Sequence, residues 1–226
     1  MQRAIRILVL VLIVGLGALW GVAWFGRQPG ESPGDSFLRQ VASLTGRQQA
    51  PAGPQVGMQL PAGVTLGGPF QMQNQDGRTV TQADFNGQLV VGYFGFTYCP
   101  DVCPTELGSI ASALDMLTPE QVARVTPMLV TVDPERDTPA QLKSYVSNFH
   151  PRMVGLTGTP EQVADMAKRF RVYYAKVTRP EMSEYLMDHS SFIYIIGEGG
   201  RVRALLRPQS SPEDIAAAIR ALLPQA

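Results

Sequence analysis

LVVGYFGFTYCPDVCPTEL, residues 89–107, decides the reading of this chain. Residues 89–96 form an unbroken apolar run, the pattern of a buried strand. The run delivers the only two cysteines, Cys99 and Cys103, to the point where a helix is expected to begin. Pro104 suits a first helical turn, where its missing N–H costs nothing.

Downstream of that stretch, helical and extended patterns alternate. Leu107, Ile110, Ala111, Leu114 and Leu117 keep a helical period over residues 105–117. Residues 128–132 read as a second apolar strand, followed by the polar loop DPERDT at 133–138. Thr138-Pro139 caps a helix predicted to run through Phe149, and residues 153–156 form a short strand. Thr159-Pro160-Glu161 opens a helix ending near Phe170, with residues 172–177 as a further strand. Residues 192–196 and 202–206 flank Gly197-Glu198-Gly199-Gly200 as a hairpin, and Ser211-Pro212-Glu213 starts a last helix through Leu223. Upstream, residues 67–81 read as a hairpin turning at Asp76-Gly77. Strands alternating with helices, then a hairpin and a helix, predict a thioredoxin-like three-layer α/β/α domain with an N-terminal β-hairpin over residues 65–226. The cysteines then lie where open α/β sheets gather ligands, at the carboxyl end of a strand.

The amino end is different. Residues 4–25 carry one charge, Arg6, and at about 1.5 Å rise per residue they are long enough to cross a hydrocarbon core. Arg3 and Arg6 precede the apolar body, while Trp20, Trp24 and Phe25 mark its far end. This predicts a single transmembrane anchor over residues 1–26 with its amino end cytoplasmic. A cleaved signal peptide is the competing reading, but the apolar core is longer than the usual 7–15 residues. Residues 27–64, rich in Pro, Gly, Gln and Ser, read as a flexible tether, with a short amphipathic helix possible at 36–44.

The 226 residues carry 19 Lys and Arg against 19 Asp and Glu. A net charge of zero argues against nucleic acid, which calls for a basic face. A disulfide between residues four apart would close so small a loop that chain entropy gives it little stabilising effect. Chelation and thiol exchange remain. Four apart on a helix, two Cβ atoms stand roughly 5–6 Å apart, whereas a disulfide brings them to about 3.8 Å. A helix start favours thiolate, and soft thiolates select Cu(I) or zinc. A third ligand is then needed, and the chain has only His150 and His189. His189 sits in YLMDHSS, read as a loop entering the strand at 192, and His150 at a helix end before Pro151. Asp188 is open to two readings, support for the histidine or a solvated loop charge. Met182 and Met187 offer thioethers, although most of the nine methionines suit core packing.

FGFTYCPDVCPTEL at 94–107, VDPERDTP at 132–139, GLTG at 155–158, DHS at 188–190 and the opening GGPF at 67–70 resemble, in order, the Sco/SenC family of copper chaperones. The resemblance covers roughly residues 67–223. It implies copper, as Cu(I) or Cu(II), held by Cys99, Cys103 and His189, and delivery to the binuclear copper site of cytochrome c oxidase subunit II. It further implies a domain facing the periplasm, tethered to a bacterial inner membrane, with a periplasmic thiol reductant and a copper donor protein as partners. Asp133 and Asp137, in the family's acidic loop, would orient a partner or hydrogen-bond near the metal, or simply cap their loop. The alternative is a thiol–disulfide oxidoreductase using Cys99 and Cys103 as its redox pair, with no need of His189. A peroxiredoxin-type peroxidase fits poorly, because Thr97 stands two residues before Cys99 rather than three.

Overall fold

The structure, a computed structural model, describes residues 6, 21, 57–58, 60, 63–178 and 184–223. The chain divides into Met1–Gly53 and Pro54–Ala226, and all that follows concerns the second unit. No helix among the described residues is long and apolar enough to cross a membrane. The predicted anchor, apart from Arg6 and Gly21, lies outside them, as do the helix at 36–44 and Met182.

In chain order the strands are β1 (Gln71–Asn74), β2 (Thr79–Thr81), β3 (Leu89–Gly95), β4 (Val125–Thr131), β5 (Val154–Thr157), β6 (Tyr174–Val177), β7 (Leu186–His189), β8 (Ile193–Ile196) and β9 (Val202–Leu206). The helices are α1 (Val102–Asp115), α2 (Pro119–Val122), α3 (Pro139–Val146), α4 (Pro160–Phe170) and α5 (Pro212–Leu222). Seven strands form one sheet in the order β2-β1-β5-β4-β3-β8-β9. The centre, β3-β4-β5, is parallel, and β1 and β8 flank it antiparallel. The predicted N-terminal hairpin is present, with Met72 opposite Val80.

Every residue of β3 and β4 is buried. This is why both read as apolar runs without alternation, since helices cover both faces of a central parallel strand. A Cβ placed on Gly95 would meet Tyr93 and Cys103, so those side chains share the face under α1. A Cβ on Gly155, in register with Tyr93 through Leu129, would meet Leu142 and Val146 of α3. Phe94 points the other way, against Phe170 of α4 at 5.4 Å between ring centroids. The domain is therefore three-layered. Leu107, Ile110, Leu114, Ile215 and Ile219 are fully buried between α1, α5 and the sheet.

The helix starts follow their capping chemistry. Thr138, Thr159 and Ser211 each precede a proline and accept a hydrogen bond from the N–H three residues on. Helix α3 ends three residues before the predicted Phe149, because Ser147 and Asn148 turn their side chains back onto the Ser144 carbonyl. Strand β4 starts earlier than predicted, at Val125, with Pro127 just before the first β4–β5 pair, Met128–Val154. Helix α2 was not expected from the sequence. Its opening, TPEQV at 118–122, is identical to the opening of α4 at 159–163 and forms the same capping box.

The larger surprise concerns β6 and β7. They pair with each other, His189 opposite Tyr174, in a two-stranded sheet of their own. His189 is thus the last residue of a strand, where the sequence suggested a loop. Its four-residue strand is too short, and too mixed in polarity, to be told from a loop by pattern.

Candidate metal centre

The turn after β3 places the first sulfur. The Cys99 N–H donates to the Phe96 carbonyl, and Cys99 Sγ accepts the Cys103 N–H at 3.3 Å. That N–H is one of the orphan donors of a helix start. The sulfur therefore fills the role usually taken by a capping side chain, while Asp101 makes no side-chain cap bond. This explains why α1 begins at Val102 rather than at residue 105. Cys99 also precedes the helix instead of riding on it, so the pair is not held at the i, i+4 spacing of a regular helix.

Both cysteines are free and buried. The Cys103 thiol, donating toward Cys99, with the His189 ring and the N–H groups of Asp101 and Cys103, holds the Cys99 thiol well below the ordinary value despite its burial. Cys103, hydrogen-bonded to that sulfur and desolvated, is pushed up. The arrangement favours thiolate at Cys99 over Cys103.

His189 arrives from β7. Its Nδ1 lies 3.0 Å from the Ser190 carbonyl oxygen, which can only accept, so Nδ1 carries the proton. Its other ring nitrogen, Nε2, lies 3.4 Å from Cys103 Sγ. Tyr93 and Phe96 meet the imidazole edge-on at 6.0 and 5.8 Å, with interplanar angles of 81° and 90°. Ser190 is itself held, its N–H on the Tyr173 carbonyl and its hydroxyl accepting the Tyr173 N–H.

The ligand atoms of Cys99, Cys103 and His189 all lie within 4.8 Å of one another. Three donors in a plane around one ion, at bond lengths of about 2.3 Å, stand roughly 4 Å apart. The set is therefore within a few tenths of an ångström to one ångström of closing on a single soft ion. Among the described residues no fourth His, Cys, Asp or Glu joins it.

The other sequence candidates separate clearly. His150 is half-buried at the end of α3, with its imidazole held below the ordinary value by burial, and its Nδ1 accepts the Arg152 N–H. Asp188 is exposed, consistent with a solvated charge. Met187 is buried in the core. Asp133 and Asp137 are 1% and 0% exposed, deeper than a capped surface loop would place them. Asp137 accepts from the N–H and hydroxyl of Thr97 and from the Thr131 hydroxyl, tying its loop to the residue two before Cys99. Burial nevertheless raises its carboxyl above the ordinary value. Asp133 accepts from Tyr185 Oη at 2.8 Å and from Arg136 Nε at 2.5 Å. Arg136 and Tyr185 were not singled out from sequence. Their contact spans about fifty positions, and no local pattern announces it.

A thioredoxin-like domain with a two-sulfur, one-imidazole centre at the end of its central strand is the class that fold and site define. Residues 59–224 match the SCO1/SenC family profile. The chain belongs to the SCO1/SenC family. It is 46% identical over 131 residues to the mitochondrial protein SCO1 homolog 1 of Arabidopsis thaliana, covering 58% of this chain and 39% of that protein. It is similar to the solved copper-bound ScoI of Bradyrhizobium japonicum, with a TM-score of 0.63 and 38% identity over 69% of this chain and 98% of that one. It also resembles BsSco, described as a member of the Sco family of cytochrome c oxidase assembly proteins with a disulfide switch. There the TM-score is 0.56 and the identity 27%, over 73% of this chain and 97% of that one.

Proposed function

We propose that this chain binds one copper ion through Cys99, Cys103 and His189 and hands it to an assembling cytochrome c oxidase, at the binuclear copper site of subunit II. The observation that carries the reading is the convergence of those three ligand atoms within 4.8 Å. Two sulfurs and an imidazole suit Cu(I), which accepts three soft donors, whereas structural zinc takes four. Cu(II) would call for a further oxygen or nitrogen donor. The copper-bound relative and the oxidase-assembly relative support the cargo and the recipient. Copper is cargo here. A three-donor site with an open side lets a partner's thiolate attack the ion and displace the chain's own ligands one at a time.

We place the chain at a bacterial inner membrane, held by residues 1–26, with the globular unit in the periplasm. The apolar run at 4–25 behind Arg3 and Arg6 supports this placement. In an oxidising compartment a Cys99–Cys103 disulfide competes with metal, so a thiol reductant and a copper donor are expected partners.

One observation favours a second reading. Cys99 Sγ accepts the Cys103 N–H at a helix start, which favours the thiolate that thiol–disulfide exchange requires, and BsSco carries a disulfide switch. Reduction of the subunit II cysteines would use the same pair without His189. Metal analysis of the reduced full chain in detergent, alongside C99S, C103S and H189A, tests the choice. One copper per wild-type chain and less than a tenth of that in C99S and C103S is the expected result. No copper in the wild type sinks the carrier reading, and oxidase assembly surviving H189A in cells favours the reductase.

A further inference from the structure

We propose that Arg136 is a positioning residue that sets where His189 stands relative to the two sulfurs. The inference deepens the copper reading and rests on it for its metal arm. His189 belongs to a two-stranded sheet outside the seven-stranded sheet whose β3 leads into the cysteines. Residues 190–192 join β7 to β8 of that sheet, and the loop between β4 and α3 adds a second tie that touches both sides. On one side Asp137 of that loop takes the N–H and hydroxyl of Thr97. On the other, Arg136 Nη1 donates to the Tyr185 carbonyl at 3.0 Å, at the residue just before β7.

The guanidinium is placed for this role. Its carbon lies 3.7 Å from the centroid of the Tyr185 ring and 4.7 Å from that of Tyr98, the residue preceding Cys99. Nε is paired with Asp133, whose other oxygen accepts from Tyr185 Oη. The side chain is 16% exposed, so these contacts are largely screened from water. A planar cation with five fixed donors can stack on two rings and bridge a carboxylate to a carbonyl at once; a lysine ammonium cannot. Arg136 touches neither sulfur nor imidazole, and it acts through Tyr185 and the strand that follows.

The test compares full chains in detergent: wild type, R136M, R136K, H189A and the R136M/H189A and R136K/H189A doubles. Cu(I) affinity is read by competition with a chromophoric chelator, and exchange of the His189 Nδ1 proton is read by NMR on the apo chain. R136M is expected to weaken Cu(I) binding by roughly fivefold or more, and to add less than about twofold in the H189A background. R136K, which keeps the charge but not the bridge, behaves like R136M. If R136M does not fold, the R136K pair carries the cycle. In the apo chain the Nδ1 proton exchanges faster in either Arg136 variant, and this readout needs no copper. Equal losses with and without His189 would mark a general packing role and overturn the inference, as would an unchanged exchange rate. A wild type that binds no Cu(I) defeats the copper reading alone, and the proton-exchange result then decides Arg136.

Discussion

The two halves of the candidate centre are built in opposite ways. The sulfur half grows from β3, a strand buried along its whole length and hydrogen-bonded on both sides within a seven-stranded sheet. The imidazole half hangs on β7, one of two short strands paired only with each other, with only Met187 of its four residues buried. An isolated two-stranded ribbon is marginal in water. One half therefore shares the stability of the core, while the other reaches the core through Met187, the rings of Tyr93 and Phe96 around His189, and side-chain contacts to residues 133–137. A centre meant to grip an ion permanently would gain from two rigid halves. Here the sulfurs stand on the fully buried half and the third donor on the more exposed one, so the third donor is expected to be the part that yields.

The comparison can be broken most directly at Gly95, beneath the sulfurs. A Cβ there would lie 2.9 Å from Cys103 Sγ and 2.9 Å from the Tyr93 ring, closer than packed atoms tolerate. G95A is expected to lower unfolding free energy by about 1–3 kcal/mol in a urea titration, and to weaken Cu(I) binding with it. An unaffected protein would mean that the rigid half is less rigid than its burial implies. Hydrogen exchange sharpens the contrast next. Amides of β3 and β4 are expected to exchange only through global opening, and those of β6 and β7 at least roughly tenfold faster. Equal protection would erase the distinction between fixed and yielding halves. The smallest effect is expected at Glu106, on α1 three residues past Cys103. Its carboxyl is 1% exposed, with Oε1 accepting the Gln209 N–H and Oε2 unpartnered, and burial raises its pKa above the ordinary value. A carboxyl raised in the folded state favours folding below its unfolded value near 4.5 and loses that contribution as pH rises through its folded value. Wild-type stability is therefore expected to decline over that rise, and E106Q to flatten the decline. A steeper decline in the variant would reverse the assignment.

What the sequence made legible divides along the same line. The β3 run, both cysteines, the α4 boundaries and the glycine hairpin before β9 are local patterns, and each stands where its residues predict. The TPEQV opening of α2 carried the same signal as that of α4 but lacked the long apolar period behind it. The arm was harder to read. His189 was singled out as one of two histidines, but its strand, its separate sheet and its link through Tyr185 to Asp133 and Arg136 depend on contacts between distant segments. The acidic loop reads only as polar. Its aspartates are buried because hydroxyls, N–H groups and a guanidinium satisfy them, and no pattern of spacing encodes such partners.

The Ser190 carbonyl that latches the His189 ring has a further consequence. It belongs to the main chain, so every amino acid placed at 190 brings the same oxygen. A saturation scan of that codon would report on the Ser190 hydroxyl and stay silent about the latch itself. Only chemistry that alters the backbone oxygen would expose how much the imidazole owes to its neighbour.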